Sequence, residues 1–298
     1  MKLLTFIIVT HNSAKIIRKS LSRINLEKYE VIIVDNASQD DVVAIVKKDF
    51  PQVKVIENEK NIGFGRANNI GFSRVKTEFS CILNPDCFID EKSISQILDV
   101  MGNNSQIALA SGVMHSGSIS KNGKIIPQEN PLKIAQKNYL TELTDFYETK
   151  FLSGCCLFVR KNIFQEIGLF DEKFFLYCED NELCKRVLRS GYKIATVKNS
   201  KIIHLSGKSS TPLNSNIEFA ISWHRFGWSK CYYAEAVHNK FVGKVKALKN
   251  ILRIIGVIFY RKIIGAEITI KNKAALLGCF EYLIGKGAFR EDGSPQKF

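Results

Sequence analysis

Two adjacent acids, Glu179 and Asp180, stand in the stretch FFLYCEDNELCKR at residues 174–186, behind aromatics and at the start of a helical pattern. A positioned carboxylate can take a proton from a hydroxyl. Acids are also favoured at a helix N-terminus, where they meet the positive end of the helix dipole. The two roles are compatible. A third acid, Asp86, follows an apolar run in LNPDC (83–87). After proline it reads either as a turn residue or as an oxygen ligand for Mg2+ or Mn2+, cations that grip diphosphates. His204, in IIHLSGKSS (202–210), closes another apolar run, where a histidine is either structural or a metal ligand.

These residues need elements to position them. Apolar runs at 3–10, 29–35, 53–58 and 78–84 read as strands, and 14–24, 40–50, 65–75 and 91–101 have helical spacing. Strands alternating with helices predict stacked βαβ units and a mainly parallel sheet. In such sheets ligands bind beyond the carboxyl ends of the strands. The four ends carry Thr10-His11-Asn12-Ser13, Asp35-Asn36, NEKNIGFGRANNIG (58–71) and Asn84-Pro85-Asp86. Asn12 or Ser13 alone could be a cap of the first helix; four polar ends on one rim point to a polar ligand. Beyond residue 105 the pattern changes. Residues 106–117 are strand-like, and 115–150 are polar and irregular, as expected of a surface loop region. A strand at 155–161, a short helix at 161–167 and a helix from about 180 to 190, stopped by Gly191, follow. YKIATV and SKIIHL read as two short strands, and from about 217 the chain is helical and basic.

Several function classes are excluded. Gly63-Phe64-Gly65-Arg66-Ala67-Asn68 begins like a dinucleotide fingerprint, but Asn68 replaces its third glycine and it follows the third strand rather than the first. SGKSS (206–210) has Ile202 where a phosphate loop needs glycine. The eight cysteines form no C-x-x-C and no zinc spacing, so reduced thiols of a cytoplasmic protein are expected. The apolar stretch Leu3 to Val9 is short and lacks a cleavage site, so no signal peptide is expected.

FIIVTHNS, VIIVDNASQD, NIGFGRANNIG, LNPDC, FLSGCCLFVRK and DEKFFLYCEDNELCKRVLRSGYKI occur in this order. Over about residues 3–210 the chain resembles the inverting family 2 glycosyltransferases of the GT-A fold, among them bacterial rhamnosyltransferases of surface-polysaccharide assembly. The resemblance implies an α/β GT-A catalytic domain over 1–215, with a nucleotide-sugar half at 1–105 and an acceptor half at 106–215. A basic amphipathic helical region would follow at 216–298. Thr10, His11 and Asn12 would lie against the nucleotide, and Asp35 would hydrogen-bond a pyrimidine base. Asn61 and Gly63 would shape that pocket, with Arg66 near the donor. Asp86 would be the remaining acid of the family's D-x-D metal motif, with Asn84 in place of the first acid. His204 would complete the shell of a Mg2+ or Mn2+ ion. Asp180 would be the general base and Glu179 its acidic neighbour. The implied donor is dTDP-L-rhamnose, with UDP-sugars such as UDP-galactofuranose as alternatives. The implied acceptor is a lipid-linked glycan or an oligosaccharide.

Charge adds a further expectation. The net charge is +14, of which residues 219–290 carry +10, so an anionic partner is expected there. Phe241, Val245, Leu248, Leu252, Ile255 and Phe259 follow 4-3-4-3-4 spacing, with Lys244, Lys246, Lys249 and Arg253 between them. Arg253, Arg261 and Lys262 interrupt the apolar run 251–265, which therefore falls short of a membrane span. The stripe could pack on the catalytic domain, lie on an anionic membrane with Trp223, Trp228, Tyr232 and Tyr233 at the interface, or serve nucleic-acid binding. No recognition motif accompanies the charge, and no nucleic acid is expected. The resemblance favours the membrane, since such relatives elongate sugars on polyprenyl diphosphates. A cytoplasmic protein, peripheral at the inner face of the cell membrane, is expected.

Overall fold

A computed structural model describes residues 2–120, 122, 124–131, 139–205 and 215–297, with backbone alone at 129–131. SGKSS (206–210) and parts of the 115–150 region lie outside the described residues. The chain divides into two compact units.

The first unit comprises Met1–Glu59, Ala67–Leu169 and Leu183–Thr211. It opens with β1 (Leu4–Thr10), α1 (Ala14–Leu21), β2 (Glu30–Asp35), α2 (Val42–Asp49), β3 (Lys54–Glu57), α3 (Phe64–Ser73, entering from the second unit), β4 (Phe79–Leu83), β5 (Cys87–Ile89) and α4 (Glu91–Asn103). It continues with β6 (Ile107–Ile119), β7 (Ile125–Pro131), β8 (Tyr139–Glu142), β9 (Phe146–Thr149), β10 (Cys156–Arg160), α5 (Lys161–Ile167), the end of α6 (Glu179–Arg189) and β11 (Lys193–His204). The strands form one sheet in the order β3-β2-β1-β4-β10-β6-β11-β9-β8, with β5 on β11 and β7 on β6. The expected parallel pairing holds from β3 to β4; from β10 onward the sheet is mixed. Leu4, Phe6 and Ile8 of β1 and Val31 and Ile33 of β2 feed a single apolar core. Such runs, buried on both faces, are what a helix-covered parallel sheet requires.

Two readings change. The polar 115–150 region is not a plain loop: it holds β7, β8 and β9. Edge strands face water, so they carry no apolar alternation to betray them; all but one residue of β8 is exposed. YKIATV and SKIIHL are one strand, β11, whose register against β6 slips between Val197 and Lys201. The three inserted residues include Ser200, whose hydroxyl donates to the Ser93 carbonyl of α4. A bulge of this kind re-aims the residues beyond it, and here it sets His204 opposite Cys87 of β5.

The second unit comprises Lys60–Arg66, Phe170–Glu182 and Pro212–Phe298. Its helices are α7 (Ser215–Ser222), a π-helical turn at Trp223–Trp228, α8 (Ser229–Val237), α9 (Lys240–Ile263) and α10 (Ile270–Leu283). Trp223, Trp228, Tyr232, Cys279 and Tyr282 form its core. This corrects the expectation for the two tryptophans and Tyr232. They are not at an interface, because their polar atoms find partners inside the unit. Trp223 Nε1 donates to Glu281, Trp228 Nε1 to the Lys286 carbonyl and Tyr232 Oη to Asp171.

Candidate functional site

In the first unit the polar rim is built by strand register. Thr10 and Asp35 are partners at the ends of β1 and β2. Thr10 Oγ1 donates to Asp35 Oδ1 at 2.7 Å, and both residues are buried. Ser38 closes the carboxylate from the other side, with its amide at 2.9 Å from Oδ2 and its hydroxyl at 2.5 Å from Oδ1. An Asx-type turn of this kind, with Ser three residues after Asp, was open to sequence reading and was missed. His11 Nδ1 donates to the Asn36 carbonyl at 2.8 Å, which orients the ring. Asn12 sits at φ +56 and accepts from the Gln39 amide. Neither Asn12 nor Ser13 caps α1 through its side chain; Asp40 Oδ2 accepts the Ala14 amide at 2.8 Å instead.

The turn after β4 carries Asn84 and Asp86. The Asn84 amide donates to the Cys155 carbonyl, and the Asp86 carbonyl accepts from Leu205 just past β11. Asp86 is buried, and its Oδ1 lies 3.5 Å from His204 Nε2. Burial by itself lowers the imidazole pKa; the facing Asp86 carboxyl, together with Cys155, outweighs it and holds His204 above its ordinary value. A buried carboxyl oxygen and an imidazole nitrogen that converge in this way fit a divalent cation. Cys87 and Cys155 also approach His204, with ligand atoms all within 4.8 Å of one another. Sequence spacing could not show this cluster, because β5–β11 pairing and the β4 turn assemble it. Burial pushes the Cys87 thiol well up. None of the eight cysteines, all among the described residues, forms a disulfide.

In the second unit a glycine turn meets the segment ahead of the acids. Asn61 Oδ1 accepts from the Gly63 amide at 3.0 Å, and the Phe64 amide donates to the Phe175 carbonyl at 3.0 Å. Gly63 is at φ +87, and a Cβ there would stand 2.5 Å from the Phe175 oxygen. Only glycine fits both conditions. Arg66 Nε donates to the Glu172 carbonyl, and its guanidinium lies 3.7 Å from the Phe289 ring centroid. Phe174 and Phe175 are core residues, packed on Tyr232 and His224 respectively. These two aromatics of the FFLYCEDNELCKR stretch therefore serve packing.

Tyr177 and Cys178 follow at φ +68 and +71. Two consecutive non-glycine residues in this region cost about 1–3 kcal/mol each, strain that concentrates at functional sites. They turn the chain abruptly into α6, whose first residues are Glu179 and Asp180. Glu179 is buried, and its Oε2 has no hydrogen-bond partner among the described residues. Burial, and then the Asp180 charge, push the Glu179 carboxyl up to about 8. Asp180 is half-buried, and its Oδ1 accepts from the amide and the side-chain nitrogen of Asn181. Two adjacent acids thus have contrasting environments, a pattern that divides acid and base roles.

Residues 5–168 match the Glycosyl transferase family 2. The low-salt glycan biosynthesis hexosyltransferase of Haloferax volcanii is 22% identical over 272 residues, spanning 87% of this chain and 86% of its own. The N-acetylglucosaminyl-diphospho-decaprenol L-rhamnosyltransferase of Mycobacterium tuberculosis is 24% identical over 213 residues, covering 62% of this chain and 69% of its own. Among solved structures, a mannosyltransferase of Pyrobaculum calidifontis in complex with GDP-Man and Mn2+ superposes with a TM-score of 0.54 at 13% identity, over 95% of this chain and 87% of that one. At that identity the likeness shows the fold, which is the GT-A fold.

Proposed function

Because the chain belongs to glycosyl transferase family 2 and is a glycosyltransferase, we propose that it is an inverting enzyme that moves L-rhamnose from dTDP-L-rhamnose to a lipid-linked or oligosaccharide acceptor. The setting is bacterial surface-polysaccharide assembly at the cytoplasmic face of a membrane. The observation that carries this reading is the buried Asp86 facing His204 at 3.5 Å on a rim that also presents the Thr10–Asp35–Ser38 cluster. The rhamnosyl donor is supported by the named activity of the mycobacterial relative.

In this reading Asp35, held by Thr10 and Ser38, accepts a hydrogen bond from the pyrimidine. His11 and Asn12 lie against the nucleotide; Asn61, Gly63 and Arg66 keep the donor-binding roles that the resemblance implies. Asp86 and His204, with Asn84, would hold Mg2+ or Mn2+; an imidazole nitrogen suits Mn2+, since Mg2+ prefers oxygen. When bound, the cation neutralises charge on the departing nucleoside diphosphate. Asp180 takes the proton of the acceptor hydroxyl as its oxygen bonds to the anomeric carbon. The electron pair of the breaking C–O bond leaves with the diphosphate, and attack from the opposite face inverts the centre. Glu179 keeps its proton near neutral pH, so it adds no second negative charge beside the base.

A donor panel tests the reading. Thermal shift and nucleotide release are measured with dTDP-, UDP- and GDP-sugars, with and without Mn2+ or Mg2+. A metal-dependent response to dTDP-rhamnose is expected. A response to GDP-sugars alone overturns the pyrimidine assignment.

A further inference from the structure

The sequence stripe on α9 faces outward except at Val245, which is half-buried, and Ile263 extends it. At about 100° per residue, Phe241, Leu248, Leu252, Ile255, Phe259 and Ile263 fall within an arc of about 80°. All six are exposed, Phe241 at 74% and Leu252 at 70%. Of the sixteen exposed large apolar side chains among the described residues, eight sit on this one helix. The opposite face is already occupied: Gly243, Ala247, Asn250 and Ile254 are buried, and a Cβ on Gly243 would stand 2.1 Å from Tyr282 Oη. Small residues let α9 sit close to its neighbours within the unit, so the apolar stripe has no packing role there.

Charge identifies what covers it. Within α9 there are seven Lys or Arg residues and no Asp or Glu. Lys244 and Lys262 flank the stripe on one side, and Lys249 and Arg253 on the other. A nucleic acid would match the cations but not the apolar centre. A second copy of this chain would bring the same cations against one another. No described helix is long and apolar enough to cross a membrane. An apolar stripe between two cationic borders matches a bilayer interface, with acyl chains under the stripe and anionic headgroups at its edges.

We propose that α9 is an in-plane membrane anchor, seated on an anionic bilayer with the six apolar side chains inserted and the flanking cations at phosphate level. For its purpose the anchor rests on the proposed function, since a lipid-linked acceptor lies in that surface; its measurement does not depend on it.

The test is co-sedimentation of the full chain with phosphatidylcholine vesicles, with and without about a third phosphatidylglycerol. Binding to anionic vesicles at least about tenfold tighter than to neutral ones is expected, falling with salt. Leu252→Glu with Phe259→Glu should lose at least about tenfold, and Lys249→Glu with Lys262→Glu should lose the preference for anionic lipid. These positions are exposed, so circular dichroism and Tm should stay unchanged in both variants. Equal vesicle binding by wild type and Leu252→Glu/Phe259→Glu overturns the proposal. So does a lipid-free dimer in light scattering that the same variant dissolves, since a second copy would then cover the face. Nucleotide release in solution, read in parallel, should be unchanged by Leu252→Glu/Phe259→Glu. Its absence with every donor would sink the transferase reading while leaving the vesicle result to decide the anchor.

Discussion

Replacing Glu179 by Gln should flatten the pH dependence of stability. Glu179 is buried, its Oε2 has no partner among the described residues, and burial and Asp180 push it to about 8, against an ordinary value of 4.5. The folded pKa is raised, so the stabilisation is fully present below about 4.5. It is lost as pH rises towards 8, where the unfolded chain has released the proton and the folded one resists. At about 1.36 kcal/mol per pH unit, the window bounds the effect at about 5 kcal/mol. The Asp180 charge is part of the cause, so about 2–4 kcal/mol is the working expectation. Glutamine keeps the shape of the neutral carboxyl and cannot ionise. Urea denaturation at pH 5, 6, 7, 8 and 8.5 should give wild type and Glu179→Gln similar stability at pH 5, with the variant gaining steadily above it. Groups that titrate in both proteins cancel in the difference. Parallel curves, within about 0.5 kcal/mol at every pH, would refute the assignment of a buried neutral acid. The same variant should keep transfer within about threefold at pH 7, because a neutral neighbour is retained.

Three other perturbations probe separate parts of the site. Gly63→Ala must adopt φ +87 and meet the Phe175 oxygen, so a loss of about 3 kcal/mol is expected, read as a Tm drop of about 5 °C or more; an unchanged Tm contradicts the close approach. Asp35→Ala strands the Thr10 hydroxyl and two Ser38 donors, a cost of about 2–4 kcal/mol, and should weaken pyrimidine-nucleotide binding at least about tenfold by calorimetry. Unaltered nucleotide affinity removes Asp35 from the base pocket. His204→Ala should raise the Mn2+ concentration for half-occupancy, followed by electron paramagnetic resonance, by at least about tenfold; no change would take the imidazole out of the metal shell.

The first hundred residues were legible because buried parallel strands carry continuous apolar runs, and observed boundaries for β1 to β4 fall within a residue or two of the runs. The stop of the helix α6 by Gly191, at φ +82, was legible for the same local reason. Polar edge strands such as β8 were not, since nothing on an exposed strand alternates. β11 looked like two strands because Asn199 and Ser200 interrupt its apolar pattern at the bulge. Features made by distant segments left no trace in spacing: the seat of Gly63 on Phe175, and the approach of Cys87 and Cys155 to His204. The stripe of α9 was visible, but its direction was not; only the burial of Gly243, Ala247 and Asn250 shows which face packs. Glu179 and Asp180 were recognised as a pair, whereas the burial that separates them depends on the left-handed turn at Tyr177 and Cys178.

Asp180→Asn tests the central claim most directly. The side chain keeps its size and its place at the head of α6 but loses the capacity to accept a proton. Nucleotide binding by calorimetry and sugar transfer with donor and acceptor are measured on the same preparation. The account predicts nucleotide affinity within about twofold of wild type and turnover lower by about 10²–10⁴-fold. Turnover retained near the wild-type rate, with nucleotide binding intact, would contradict it.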